Sequence, residues 1–154
     1  MKIVNESVDL SAERIESLKA GTLAALSFTL TYTLTVVVNS LVLAEQFESL
    51  AALQVTTPFN LLVKVASAWI SGFLFGITYR YVIRDDENPH LQEGAVLAFG
   101  LVRGLAPVEV EQNLSGAFWF LGVLGVESVV CFAIARVTLD WAMQHHWVKP
   151  FKSS

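Results

Sequence analysis

The sequence predicts an all-α membrane protein of four transmembrane helices. Only 16% of its 154 residues are charged and 54% are hydrophobic, and the mean hydropathy is +0.55; a soluble domain carries about 25% charge. The apolar residues also form runs long enough for the bilayer core, which needs roughly 20 residues per helix. These runs leave no room for a separate soluble domain. We therefore predict one membrane domain, 1–154, with transmembrane helices at 20–44, 59–82, 91–106 and 114–141.

The chain begins with a charged segment, 1–19. We expect a short helix within 7–19, and Ser11 can provide its N-terminal cap. The first pass has no charge but is rich in threonine and serine. In a helix such hydroxyls bond back to a carbonyl one turn earlier, so we interpret them as tolerated polar groups rather than a conduction path. An outer connection follows at 45–58, and we predict one or two turns of interfacial helix within it. It ends at Pro58, which favours a new helix start.

Small residues predict where helices approach each other closely. Ala68, Gly72 and Gly76 recur every four residues in the second pass, which puts them on one helical face. Gly122 and Gly125 cluster with Gly116 in the outer half of the fourth pass. We expect these residues to pack inside the protein, and the alternative is a docking face for another subunit.

The densest charge lies in the turn between the second and third passes, which contains Arg80, Arg84, Asp85 and Asp86. We predict that this turn is exposed and offers a cytoplasmic contact to a partner. The pair Asn88 and Pro89 then signals a new helix. The third pass is shorter than the others, so re-entry into the membrane is an alternative to spanning.

Orientation follows from the positive charges, because lysine and arginine favour the cytoplasmic side. They lie before the first pass, between the second and third, and at or beyond the end of the fourth: Lys2, Arg14, Lys19, Arg80, Arg84, Arg136, Lys149 and Lys152. The two outer connections, 45–58 and 108–113, contain acidic residues and no lysine or arginine. We therefore predict both termini, with the tail 142–154, on the cytoplasmic (or stromal) side. The likeness of LKAGTLAA at 18–25 to LQEGAVLA at 91–98 also suggests a parallel repeat of two helices plus two.

Four charges inside or near the passes are candidates for a functional site. Glu127 is the strongest, because a carboxylate at mid-membrane is costly unless it is protonated or paired. Arg103 is its obvious partner, although counting along the passes puts Arg103 nearer the outer face. Glu93 and Arg136 match each other better in depth. The alternatives are a structural pair between helices, proton or ion handling, and contact with a partner subunit.

No feature of the sequence indicates catalysis, a metal site or nucleic-acid binding. The known catalytic and phosphate-binding signatures are absent. His145 and His146 are adjacent and diverge around a helix, so they make a poor chelating pair. We expect His90 to be solvated, with ligation of a pigment or haem metal as the alternative, and Cys131 to be a small buried side chain. We predict that the protein is not an enzyme and needs no cofactor, with bound pigment or lipid as an alternative.

The motifs YRYVIR at 79–84, NPHL at 88–91 and GAVLAFGLVRGL at 94–105 resemble a family of small integral membrane proteins of cyanobacteria, with relatives in chloroplasts. The resemblance extends over 18–136. It implies a photosynthetic or plastid membrane and supplies no catalytic residues. We therefore predict an integral protein of a thylakoid or bacterial inner membrane.

Two functions fit these observations. We expect a non-enzymatic accessory or assembly subunit of a larger membrane complex, plausibly photosynthetic, that contacts lipid and either other subunits or further copies of itself. The soluble parts are too small for catalysis, the small-residue faces suit docking, and the charged turn offers a contact. The alternative is a small transporter or channel that uses Glu127 and Arg103.

Overall fold

The computed structural model describes residues 2–43, 57–83, 88–109 and 114–151, and every element within these ranges is a helix. The elements are α1 (Lys2–Val38) with a π-helical turn (Asn39–Leu43), α2 (Pro58–Ile83), α3 (Pro89–Leu105) with a 3₁₀ turn (Ala106–Glu109), and α4 (Leu114–Gln144). All four helices are long and apolar enough to cross a membrane. The predicted all-α membrane protein with four such helices is confirmed, and the third is long enough to span.

The first helix is longer than predicted. The expected break between a helix at Ser7 and the first pass is absent, and Ser11 lies inside α1 rather than at its cap. The reason is that nothing between Lys2 and Val38 breaks a helix except Gly21, which is tolerated within one. At 1.5 Å per residue, α1 is about 55 Å long, which exceeds a bilayer core of about 30 Å.

The other helices begin where prolines predict. Pro58 opens α2, and Pro89 opens α3 behind Asn88, whose side chain accepts a hydrogen bond from the backbone amide of His90. The predicted interfacial helix at 45–56, the charged residues Arg84, Asp85 and Asp86, and most of the second outer connection lie outside the described residues.

Sequential helices are antiparallel neighbours: α1 packs mainly on α2, α3 packs on α4, and α1 also packs on α4. One phenylalanine from each helix meets at the centre, with ring centroids 4.5–5.6 Å apart. We call Phe28, Phe75, Phe99 and Phe132 the aromatic layer. Offset and edge-to-face contacts of this kind hold all four helices together.

Glycines on α2 bring it against α1. A Cβ atom added at Gly76 would lie 2.5 Å from the carbonyl oxygen of Ala20, and one at Gly72 would lie 2.8 Å from Cβ of Phe28. Ala68 is fully buried on the same helix. The predicted small-residue face of α2 therefore packs inside the chain and is not open to another subunit.

The two glycines predicted to pack on α4 differ in burial. Gly125 is buried and lies against Gly104, where an added Cβ atom would meet the Gly125 Cα atom at 2.5 Å. Gly122 is exposed, and an added Cβ atom would meet nothing within 4 Å. The prediction that Gly122 is an internal packing residue is wrong, because it lies on a part of α4 that α3 does not cover.

We call the end of the bundle that contains Glu13, Arg80 and Lys149 the terminal end. Arg80 is 1% exposed and forms an ion pair with Glu13. Its guanidinium also donates to Ser17 Oγ (2.7 Å) and to the Lys149 carbonyl (2.8 Å). The backbone amide of Lys149 in turn donates to Glu16 (2.9 Å), so the tail closes over α1 and α2.

This network corrects one predicted contact residue. Arg80 was expected on an exposed cytoplasmic surface, but its side chain is enclosed by α1, α2 and the tail. The physical reason is that a buried guanidinium needs its several donors satisfied, and α1 extends far enough to supply Glu13 and Ser17. The orientation of this end and the two-plus-two repeat stay predictions.

Candidate functional site

Arg103 and Glu127 lie at the same level of the bundle. Gly100 on α3 contacts Val129 on α4, and Gly104 contacts Gly125; Arg103 therefore stands beside the turn of α4 that contains Glu127. The expected mismatch in depth is wrong, because α3 ends at Leu105 about a third of the way along α4 rather than at its end. Glu127 itself is about 20 Å from the first residue of α4 at 1.5 Å per residue.

Glu127 is held by α1. Its side chain is 8% exposed, with one carboxyl oxygen 2.6 Å from the Thr35 hydroxyl and the other accepting from the Asn39 side-chain amide at 2.7 Å. Both partners are neutral. In the ranges that the structure describes, no ion pair joins Glu127 to Arg103.

Arg103 is held by α2 and α1 instead. Its guanidinium donates to Ser71 (2.9 Å) and Ser67 (3.1 Å) on α2. Its central carbon lies 4.9 Å from the ring centroid of Tyr32 and 5.3 Å from that of Phe28. Cation–π contacts and neutral hydroxyls stabilise the charge without neutralising it.

Both charges line one cavity of about 740 Å³, to which all four helices contribute. Lys64 adds a second cation to the wall, and Ser67, Ser71 and Ser128 add hydroxyls. The rest of the wall is mainly apolar, and Phe99 and Phe132 of the aromatic layer form part of it. A concave, mostly apolar site with a few convergent polar groups is typical of small-molecule binding.

Glu127 also lines a second cavity. The second cavity has a volume of about 590 Å³, is lined by residues of α1 and α4 that include Asn39, Trp119 and Gly122, and shares Glu127 with the first. Glu127 thus lines both cavities.

Glu93 and Arg136, which the sequence places at a similar depth, do not contact each other as an ion pair. Glu93 is exposed, whereas Arg136 forms an ion pair with Asp140 (3.4 Å) and donates to Gln92 (2.7 Å). Asp140 also accepts from Tyr79 at 2.7 Å, so this network joins α2, α3 and α4. Glu93 and Arg136 do lie at a similar depth, because Arg136 contacts Gln92, the residue before Glu93. Successive residues of a helix are rotated by about 100°, so Glu93 is turned away from Arg136.

The sequence reasoning missed the neutral partners of the two charges. Thr35 and Asn39 are four residues apart on α1, and Ser67 and Ser71 are four apart on α2, so each pair lies on one helical face. This four-residue spacing in the sequence could have indicated polar partners for the two side chains. The back-bonding predicted for the threonines of α1 does occur, for example from Thr31 to the carbonyl of Ser27 at 2.9 Å.

The three histidines are not among the residues that line these two cavities. His90, His145 and His146 are exposed, and within the described ranges no three histidine, cysteine or acidic residues are grouped to hold a metal ion. Cys131 is fully buried in the core, as expected.

No family model, curated protein or solved structure matches this chain. The photosynthetic or plastid membrane that the resemblance implies stays a prediction.

Proposed function

We propose that this protein is a small membrane transporter that binds an organic anion in the cavity between its four helices. The observation that carries the proposal is that Arg103 and Glu127 face one cavity of about 740 Å³ without forming an ion pair. Arg103 and Lys64 supply positive charge for an anionic group, and Ser67 supplies a hydroxyl donor, since the Ser71 hydroxyl already donates to the Ser67 carbonyl. The apolar wall, for example Leu74, Val102 and Leu124, suits an apolar body.

We favour transport over the accessory-subunit role because two features expected to bind a partner instead make contacts within the chain. The Gly72 and Gly76 face packs on α1, and Arg80 is enclosed at the terminal end. The accessory or assembly role therefore stays a prediction, which native separation of mildly solubilised membranes would test. Co-migration with a large complex would support it.

The distribution of lysine and arginine supports an orientation with the terminal end in the cytoplasm. The cavity then lies in the outer half of the membrane. Accessibility of a cysteine introduced at Ser154, in a Cys131→Ser background, tests this orientation in sealed vesicles.

The proposal is tested with 1-naphthalenesulfonate, a fluorescent organic anion that stays ionised and crosses lipid slowly. Proteoliposomes should bind it saturably and take it up. Arg103→Gln should weaken binding about ten- to a hundredfold, because charged hydrogen bonds contribute about 1.5–3 kcal/mol each. Lys19→Gln removes the same charge from an exposed i,i+3 pair and is the matched control.

The results separate the functions. Saturable binding that depends on Arg103, together with uptake that Glu127→Gln abolishes, supports a transporter. Binding without uptake would contradict transport and favour a ligand-binding subunit. Equal binding by wild type, Arg103→Gln and Lys19→Gln would contradict the site.

A further inference from the structure

The hydrogen bonds around Glu127 contain an excess of acceptors. The Thr35 hydroxyl has one proton, yet its oxygen lies 2.8 Å from the Tyr32 carbonyl and 2.6 Å from a Glu127 oxygen. One proton cannot serve both contacts. Both are satisfied at once if Thr35 donates to Tyr32 and Glu127 itself donates to the Thr35 oxygen.

The electrostatic surroundings agree with this count. Glu127 is 8% exposed inside the helix bundle, and its two hydrogen-bond partners, Thr35 and Asn39, are neutral. An ionised carboxylate in such a place is costly without a cation. The guanidinium of Arg103 lines the same cavity, but it donates to Ser67 and Ser71 and, in the described part of the chain, forms no ion pair with Glu127.

We infer that Glu127 is a proton-binding site, held in the resting protein as a neutral carboxylic acid that donates to Thr35 while its carbonyl oxygen accepts from Asn39. The titratable and charged groups that face it from the four helices are Tyr32 on α1, Lys64 on α2, Arg103 on α3 and Cys131 on α4. With Glu127 neutral, the cations Lys64 and Arg103 alone set the charge of the cavity, which then attracts an anion.

The site couples a proton to the anion, and this step rests on the proposed function. Loss of the proton breaks the O–H bond of Glu127 and leaves the electron pair on its oxygen. The new negative charge faces the same cavity as the bound anion and weakens its binding. Proton and anion therefore leave to the same side, and cotransport of one proton with a monoanion moves no net charge.

The proton on Glu127 is measured directly by infrared spectroscopy of the protein in lipid nanodiscs at neutral pH. The carbonyl stretch of a carboxylic acid lies apart from the carboxylate and amide bands and shifts in D₂O. We expect a band equivalent to one carboxylic acid per chain that disappears in Glu127→Gln. Thr35→Val, which removes the hydrogen-bond acceptor, should shift that band, whereas Thr35→Ser should restore it.

The control is Glu93→Gln, which removes an exposed carboxylate and should reduce only the carboxylate bands. The inference is overturned if Glu127→Gln reduces those same bands instead. It is equally overturned if the wild-type protein has no D₂O-sensitive carboxylic acid band, a measurement that needs no variant.

Coupling is measured in vesicles that contain a pH-sensitive dye. An inward gradient of 1-naphthalenesulfonate should acidify the wild-type vesicles with one proton per anion, and Glu127→Gln should not acidify them. A carboxylic acid band without sulfonate binding would leave the proton site standing and refute the transporter. Sulfonate uptake without acidification would leave the transporter standing and refute its coupling to a proton.

Discussion

Gly76→Ala tests the closest helix contact in the bundle. The added Cβ atom would lie 2.5 Å from the Ala20 carbonyl oxygen and 2.7 Å from Cβ of Ala24. Non-bonded carbon atoms prefer a separation of about 3.5–4.0 Å. Since the first obstacle is the backbone of α1, a side-chain rotation cannot relieve the clash, and α1 and α2 must separate by about 1 Å.

The cost follows from the contacts that this separation weakens. A gap of about 0.5–1 Å forfeits a quarter to a half of each pair's attraction of about 0.1–0.2 kcal/mol. For a few dozen atom pairs around Ala20, Ala24 and Phe28 the loss is about 1–3 kcal/mol, which is the range measured for overpacked cores. Alanine regains up to about 1 kcal/mol of helix propensity, so we expect a net destabilisation of about 1–2 kcal/mol.

Unfolding in mixed micelles with increasing SDS, followed by tryptophan fluorescence, measures this free energy. Gly122→Ala and Gly94→Ala are matched controls, because an added Cβ atom at either position meets nothing within 4 Å. Both should be as stable as the wild type or slightly more stable. If Gly76→Ala unfolds at the same SDS fraction as Gly122→Ala, α1 and α2 do not approach as closely as we describe.

Three further substitutions or reactions test the remainder of the bundle. Arg80→Ala should destabilise the protein by about 2–3 kcal/mol, because it leaves several buried partners unpaired. The control, Lys19→Ala, should change stability by less than about 0.5 kcal/mol. Equal midpoints of the two variants in SDS unfolding would contradict the burial of the Arg80 guanidinium. Tyr79→Phe should cost about 1 kcal/mol through the lost hydrogen bond to Asp140, measured in the same way, and no change would mean that this bond contributes nothing. Cys131 should resist a maleimide until SDS unfolds the protein, because it is fully buried; rapid labelling of the folded protein would contradict its burial.

Helix positions could be predicted from the sequence, because each depends on local features. A membrane pass needs only a long apolar run, and a proline marks its start. The second helix, predicted at 59–82, runs from Pro58 to Ile83, and the fourth, predicted at 114–141, runs from Leu114 to Gln144. The unbroken α1 was missed because a charged stretch was taken to end a helix, although charge by itself does not break one.

The site could be predicted only in part, because it depends on how far each helix is shifted along its neighbour. Arg103 and Glu127 were identified as costly intramembrane charges, but their common depth was not. Counting residues from the loops assumes that neighbouring helices end together. The contact of Gly104 with Gly125 shifts the end of α3 by about a third of the length of α4, and no pattern within either helix reveals that shift.

The aromatic layer divides the bundle into two unlike halves. On one side, the tail and Arg80 close the terminal end through contacts to Ser17 and to backbone carbonyls. On the other side lies the cavity, with Phe99 and Phe132 in its wall. An anion that enters the cavity can reach the terminal end only if the four phenylalanines separate and the tail releases Arg80. Under the proposed transport function, the fold described here corresponds to one of the two states that a transporter requires.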